Sequence, residues 1–345
     1  MPTACILRDH CRVSLESERL IVRGKPDGEA AESRTEVILR EIPLRDVERV
    51  IAEESTRFSA DALSALLRES VPVNVMGWNG EFLGGFLPAT KAHGLSRLRQ
   101  YERTLDAGFG LKIARELISA RLYNQRRVIQ RLAMNRGRED IQRVAPDLEW
   151  LDACFASMRN VATIDELRGI EGASTARYFK AWATFLPKEF PFERRSTRPP
   201  LNAVNACISY GATLLYQEML SAIHARGLDP ALGLLHATEN GRWSLALDLL
   251  EPFRPCLVEA LALDLFSHQI LSERHFEPRN GGIYLNQEGR RRFHLQYERR
   301  MDRQFLSELR EHRTTLRQEV DRHAMLFKAM LEDPEAKPFE PFLMN

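Results

Sequence analysis

The sequence predicts an α+β chain, with a small β-rich N-terminal domain followed by a larger all-α domain. Three observations carry that prediction. Residues 1–90 hold short β-branched and apolar runs broken by turns. Asn79-Gly80 lies between two apolar runs, the strongest short hairpin signal there is. Beyond Pro88, apolar residues recur at three- and four-residue steps with few breakers, to about residue 330.

Bulk properties agree with two domains. A length of 345 residues is too great for one ordinary small domain. Hydrophobic residues make up 44% and charged residues 28%, which supplies a core and excludes wholesale disorder. No apolar run approaches the ~18 residues of a membrane span, and the N-terminus lacks the apolar centre of a signal peptide. These features predict a cytoplasmic protein that does not enter a membrane. The five cysteines, Cys5, Cys11, Cys154, Cys207 and Cys256, form no CxxC pair, so reduced thiols are expected rather than a zinc finger or disulfide framework.

The elements follow in order. "ACILRDHCRVSLESERLIVR" and "TEVILREIPLRDVERVI" read as strands and turns. "SADALSALLRE" reads as a short helix with Ser59 as its N-cap. "VPVNVMGWNGEFLGGFLP" is a hairpin around Asn79-Gly80. The helical domain opens with Leu95–Ala133, breaks at the Pro-rich "PKEFPFERRSTRPP", and carries a small hairpin candidate at Asn280-Gly281. The expected boundaries are therefore 1–90, 91–331, and a loose Pro-rich tail over 332–345.

Net charge is only +1, but it is unevenly placed. Residues 1–90 carry 11 basic and 15 acidic side chains, whereas 91–131 carry 10 basic against 3 acidic. A second basic run holds Arg290, Arg291 and Arg292. Such segregation is a weak nucleic-acid signal, and a solvated helix face is its ordinary reading.

Three acidic residues stand out by position. Thr163 and Glu166 form a capping box, and Ile164, Leu167, Ile170, Ser174, Tyr178, Trp182 and Phe185 then make one helical stripe. Glu171 falls near its middle, where a carboxylate is costly unless a cation or donor meets it. The competing expectation is a helix that kinks at Gly169 and Gly172 and leaves Glu171 in water. In "RWSLALDLLEPFRP", Asp248 and Glu251 share one side of an apolar helix with no Lys or Arg between them. Pro252 should kink or end that helix beside Glu251. An acidic surface stripe is the alternative. His236 lies beside a turn marked by Asp229-Pro230 and Gly233, and a packed or surface histidine is its ordinary reading. Should Glu171, His236 and Glu251 converge, they would suit Mg²⁺ or Mn²⁺ and phosphodiester chemistry. Spacing alone cannot bring them together.

Five segments occur in a telling order: "LRGIEGASTARYF", "RPPLNAVNACISYGATLL", "GLDPALGLLH", "RWSLALDLLEPFRP" and "NGGIYLNQEGRRRF". Together they resemble the CRISPR-associated adaptation integrase, the first of the Cas proteins, over essentially the whole chain. The resemblance implies an antiviral-defence enzyme that is a metal-dependent DNA endonuclease and integrase. It would join the 3′-OH ends of short double-stranded DNA, the prespacer, into the CRISPR repeat by transesterification. It implies a homodimer, with residues 1–90 as the dimerisation domain, that assembles with a small second Cas protein. It further implies Glu171, His236 and Glu251 as ligands of Mg²⁺ or Mn²⁺, with Asp248 as a supporting acid. Arg254 matches a basic position suited to the DNA backbone, and Arg290–Arg292 are candidate DNA contacts. The alternative is a catalytically silent DNA-binding scaffold of the adaptation complex.

Overall fold

The computed structural model describes residues 3–25, 36–89, 93–307 and 311–345. The chain is mixed α+β, with a β-rich N-terminal part and a helical C-terminal part. Its internal contacts separate two units: Met1–Thr90 with Leu285–His294, and Lys91–Tyr284 with Leu295–Asn345. Residues 285–294, expected within the helical domain, thus group with the β-rich unit.

The first unit contains strands β1 (Thr3–Ile6), β2 (Arg12–Glu16), β3 (Arg19–Gly24), β4 (Val37–Pro43), β5 (Arg49–Glu53), β6 (Arg57–Phe58), β7 (Val73–Met76) and β8 (Phe82–Phe86), with helix α1 (Ala60–Arg68). They form two four-stranded sheets, ordered β1-β5-β7-β8 and β4-β3-β2-β6. The first is parallel except for its edge strand β8, which returns antiparallel to β7. That return is the expected hairpin. Gly80 takes φ +83°, open to glycine at no steric cost, and Asn79 Oδ1 accepts from the Glu81 N–H at 2.9 Å. Ile6, Val13, Leu20, Val22, Val50, Leu66 and Val73 pack into one core. Ser59 caps α1 as expected, accepting from the Ala62 N–H at 3.2 Å.

Residues 285–294 bring two buried basic groups, Arg290 and His294, into this unit. Arg290 is buried and donates to the Trp78 carbonyl at 2.6 Å. Expected at a DNA surface, it is instead committed to the interior of the β-rich unit. Arg291 is 81% exposed and Arg292 pairs with Glu288 at 2.7 Å, both on the outer side of the helix that begins at Gln287. His294 is buried beside the Cys5 thiol, with Nδ1 at 3.7 Å from Sγ. Burial first, and then Arg290 and Arg49, push its pKa down to about 3.

The second unit contains α2 (Gly94–Leu105), α3 (Ala107–Arg136), α4 (Arg138–Ser157), α5 (Ile164–Ala183), α6 (Ala203–Ala225), α7 (Ser244–Leu250), α8 (Ala260–Ser267), α9 (Gln287–Asp302, which starts in the first unit) and α10 (Leu316–Glu332). It is not purely helical. The expected hairpin at Asn280-Gly281 joins Phe276–Arg279 to Gly282–Leu285, and a second pairs Phe305–Ser307 with His312–Thr314. The long helical stretch from Leu95 is interrupted at Asp106, which leaves helical geometry and caps α3 by accepting from the Gly108 and Phe109 N–H groups. Among the described residues no helix is long and apolar enough to cross a membrane.

The tail is not loose. Phe339 and Phe342 are buried, and Phe342 stacks on Phe253 with ring centroids 4.6 Å apart. Asn124 of α3 donates to the Phe342 carbonyl at 3.0 Å and accepts from the Met344 N–H at 2.7 Å. Proline content pointed to disorder, but two buried rings and a buried amide outweigh the entropy of ordering a short segment.

Two outcomes follow. Since His294 is neutral when folded and titrates near 6.5 when unfolded, the unfolded chain binds the extra proton. Stability is full above about pH 6.5 and falls by ~1.4 kcal/mol per pH unit as pH drops toward 3. His294→Gln should flatten that slope by one proton in urea titrations between pH 6 and 4. Phe342→Ala should lower stability by about 3 kcal/mol in thermal unfolding; a change under about 0.5 kcal/mol would contradict a docked tail.

Candidate active site

Four segments of the helical unit meet at the site. The first is α5. Thr163 accepts from the Glu166 N–H at 3.2 Å, and Glu166 reaches back to the Ala162 N–H at 2.9 Å, so the helix start is doubly capped. The helix then runs unbroken past both glycines. Leu167, Ser174, Tyr178 and Trp182 face the core, which leaves Glu171 at the rim with its side chain 27% exposed. Its Oε1 accepts from the Thr175 hydroxyl at 3.1 Å.

The second is α3, whose buried face holds Leu117, Arg121, Asn124, Gln125 and Val128. Arg121 Nη1 pairs with Glu171 Oε1 and lies 2.7 Å from Glu251 Oε2. Burial opposes its charge, but Glu251, Glu171 and Glu259 more than offset that and hold its pKa above the ordinary value.

The third is α7 and the turn after it. Ser244, Asp248 and Glu251 are all buried, so the acidic surface stripe is excluded. The α-helix ends at Leu250, and Glu251–Phe253 continue as a tight 3₁₀ turn with Pro252 inside it. Asn124 secures that turn by donating to the Pro252 carbonyl at 2.7 Å. Glu251 is 2% exposed. Burial raises its pKa, but Arg121, Arg254 and His236 lower it further, and the carboxyl stands below the usual range. Oε1 accepts from Arg254 Nη1 at 3.1 Å, whereas Oε2 receives no hydrogen bond.

The fourth is the loop before α7. Asp248, with no exposed surface, accepts from the backbone N–H groups of Leu234, Leu235 and His236 at 2.5, 3.0 and 2.9 Å. Its Oδ1 also meets His236 Nδ1 at 2.6 Å. A carboxylate only accepts, so Nδ1 carries a proton, and in the neutral ring Nε2 is the nitrogen with the lone pair. Arg168 of α5 donates twice to the Leu235 carbonyl, tying the loop to the helix of Glu171. Gly233 is required where the loop crosses α7. A Cβ there would stand 2.2 Å from the His236 carbonyl oxygen and 2.5 Å from Ser244 Cβ.

The structure therefore joins Glu171 to Glu251 through Arg121, and His236 to Asp248. Among the described residues no three His, Cys, Asp or Glu side chains stand gathered as an ion cage. The donor set still fits a hard divalent cation. It has two carboxylates, an imidazole with one nitrogen held by a carboxylate, and a buried carboxylate oxygen without a hydrogen bond. Sequence reasoning missed Arg121 and Glu259. The signal for Arg121 was present, since it shares a three- and four-residue stripe with Leu117 and Val128. Glu259 is wholly buried, and no arginine nitrogen hydrogen-bonds either of its oxygens; the Tyr178 hydroxyl is the neighbour that meets the carboxyl. Burial raises its pKa against Arg254, Arg121, Tyr178 and Arg195.

The helical unit thus gathers one buried and one rim acid around a single guanidinium and orients a histidine with a third acid, a carboxylate–histidine arrangement whose donors are those hard cations take. A family model of CRISPR associated protein Cas1 matches residues 4–299, and the chain belongs to the Cas1 family. It is 32% identical over 303 residues to CRISPR-associated endonuclease Cas1 1 of Thermodesulfovibrio yellowstonii, covering 85% of this chain and 88% of that protein. Its fold resembles a casposase bound to integration product (TM-score 0.85, 21% identity, covering 100% of this chain and 95% of that one). It also resembles a chain of a Cas6-RT-Cas1–Cas2 complex (TM-score 0.79, 22% identity), with 99% of this chain covering 36% of the larger one.

Asp248→Ala should strand three backbone N–H groups and cost at least about 3 kcal/mol, read by thermal unfolding, while Asp248→Asn costs less because the amide oxygen still accepts. Gly233→Ala should destabilise by more than about 1 kcal/mol; a neutral result would show that the loop does not cross α7 this closely.

Proposed function

We propose that this chain is the endonuclease and integrase of CRISPR spacer acquisition, dependent on Mg²⁺ or Mn²⁺. Glu171, Glu251 and His236 Nε2 would hold the ion, and Asp248 would position His236. The single observation that carries this reading is the convergence of carboxylate oxygens from Glu171 and Glu251 on one nitrogen, with a histidine whose charge reaches Glu251 oriented by a buried acid of the helix leading into it. Family membership and the integration product held by the similarly folded casposase support it.

The bound ion supplies Lewis-acid polarisation of the phosphodiester and charge stabilisation on its oxygens. The protein's own groups do the rest. Asp248 keeps the His236 proton on Nδ1, and Asn124 holds the Glu251 turn by its carbonyl. Arg254, partly exposed and paired to Glu251, would meet a phosphate oxygen of the DNA. In strand joining the DNA 3′-oxygen forms one P–O bond as another breaks. Its proton leaves to solvent and the departing 3′-oxygen gains one. The count of phosphodiesters is unchanged, so no external energy source is needed.

Three partners belong to the same reading. These are double-stranded DNA as prespacer and repeat, a second copy of this chain through the β-rich unit, and a small second Cas protein of the kind named in the Cas1–Cas2 complex. Arg291 and Arg292 remain candidate DNA contacts, whereas Arg290 does not.

The test is integration of a short duplex into a repeat-bearing plasmid with Mg²⁺ or Mn²⁺ and the partner protein. Glu171→Ala, Glu251→Ala and His236→Ala should each reduce joining by at least about a hundredfold, with DNA binding within a few-fold of wild type. Joining that survives in the triple variant would instead make the chain a DNA-holding scaffold.

A further inference from the structure

We infer that Arg121 is a resident cation of the acidic site. Its guanidinium occupies the position between Glu171 and Glu251 in the ion-free protein, and moves onto Glu259 when a divalent ion takes those oxygens. This rests on the ligand reading above.

The first ground is geometric. Arginine normally meets a carboxylate through two nitrogens in a planar fork. Here one nitrogen, Nη1, serves two carboxylates from two separate segments. Nε is buried with no partner, and Glu251 Oε2 has no directed hydrogen bond. Oxygens from different side chains converging on a point are arranged for a compact spherical charge, not for a fork.

The second ground is charge. Arg121 and Glu251 are both buried, so neither is balanced by solvent. Without a cation at this point the two acids would repel each other at close range with only Arg254 to answer Glu251. A divalent ion placed on the same oxygens would in turn meet a guanidinium at contact distance. The two cations exclude each other from that position.

The third ground is that a second acceptor stands ready. Glu259 is fully buried, no guanidinium hydrogen-bonds either of its oxygens, only the Tyr178 hydroxyl meets it, and its charge acts on Arg121. Arg121 Nε is thus a buried donor without a partner, and the Glu259 carboxyl a buried acceptor, close enough to feel its charge, that no cation pairs with. Transfer of the guanidinium to Glu259 satisfies both and clears the rim for the ion. Uptake is therefore an exchange of one cation for another, and Arg121 acts as a positioning residue.

The experiment is Mn²⁺ binding to the metal-free full chain, followed by electron paramagnetic resonance of free Mn²⁺ and by the shift of Tm on Mn²⁺ addition. Wild type should bind Mn²⁺ in a manner lost in Glu171→Ala; if it does not, the ligand reading itself fails. Given that binding, Arg121→Met should lower Tm in chelator yet bind Mn²⁺ at least about tenfold more tightly, with a larger Mn²⁺-induced Tm rise than wild type. Arg121→Lys, which keeps the charge, should restore Tm in chelator. Glu259→Gln should weaken Mn²⁺ binding about tenfold with all three ligands intact. Equal or weaker Mn²⁺ binding in Arg121→Met overturns the inference while leaving the ligand reading in place. Should that variant not fold, unchanged affinity in Glu259→Gln overturns it alone.

Discussion

The buried carboxylate of Asp248 sets the shape of the site. Two oxygens take three backbone N–H groups and one imidazole nitrogen, all from a single loop. A charge with no exposed surface would be costly alone, and four donors make it an anchor. The loop from Gly233 to His236 has no regular structure of its own. It takes the path Asp248 dictates, and the histidine ring angle follows from that path. The same carboxylate lies on the helix that leads into Glu251, so one residue registers the histidine against the acid that the helix delivers.

Around that anchor the charges alternate. Glu171 meets Arg121, Arg121 meets Glu251, and Glu251 meets Arg254. Glu259 and Arg195 extend the series inward, and burial together with Arg254 lowers the Arg195 pKa to about 10. Buried ion pairs give little net stability, because desolvation offsets attraction. Their value here is placement. Removing any one member leaves an uncompensated neighbour, so the series specifies one arrangement of α3, α5 and the turn after α7.

Much of this was legible in the sequence, and the limits are instructive. Strand runs, the Asn79-Gly80 turn, the Ser59 and Thr163 caps and the family motifs are local signals, and each appears where expected. Glu171 on an apolar stripe and Asp248 beside Glu251 were visible as anomalies of periodicity. Periodicity did not separate Asp248 from Glu251, because both lie on one helical side; the resemblance gave Asp248 the supporting part, and in the structure it is Asp248 that meets the loop. Arg121 was hidden by its surroundings, counted within a basic segment that looked solvated. Arg290 misled for the opposite reason. Three consecutive arginines look alike in a string, yet a helix turns one of them inward toward the Trp78 carbonyl. The tail misled because composition speaks of prolines, whereas two aromatic rings decided the outcome.

The clasp made by Asn124 has a bearing on the order in which the protein acquires its structure. One amide holds the turn beside Glu251, 128 residues away, and the backbone at Phe342 and Met344, 218 and 220 residues away. Closing chain loops of that length is slow compared with forming the helices themselves. During synthesis, α3, α5 and α7 exist as segments before residues 342–344 emerge. Until then Asn124 lacks two of its three partners, and Phe253 lacks the ring that covers it. The acidic centre is therefore among the last parts of the molecule to be sealed, and a nascent chain carries Glu251 without the bracing that holds its turn.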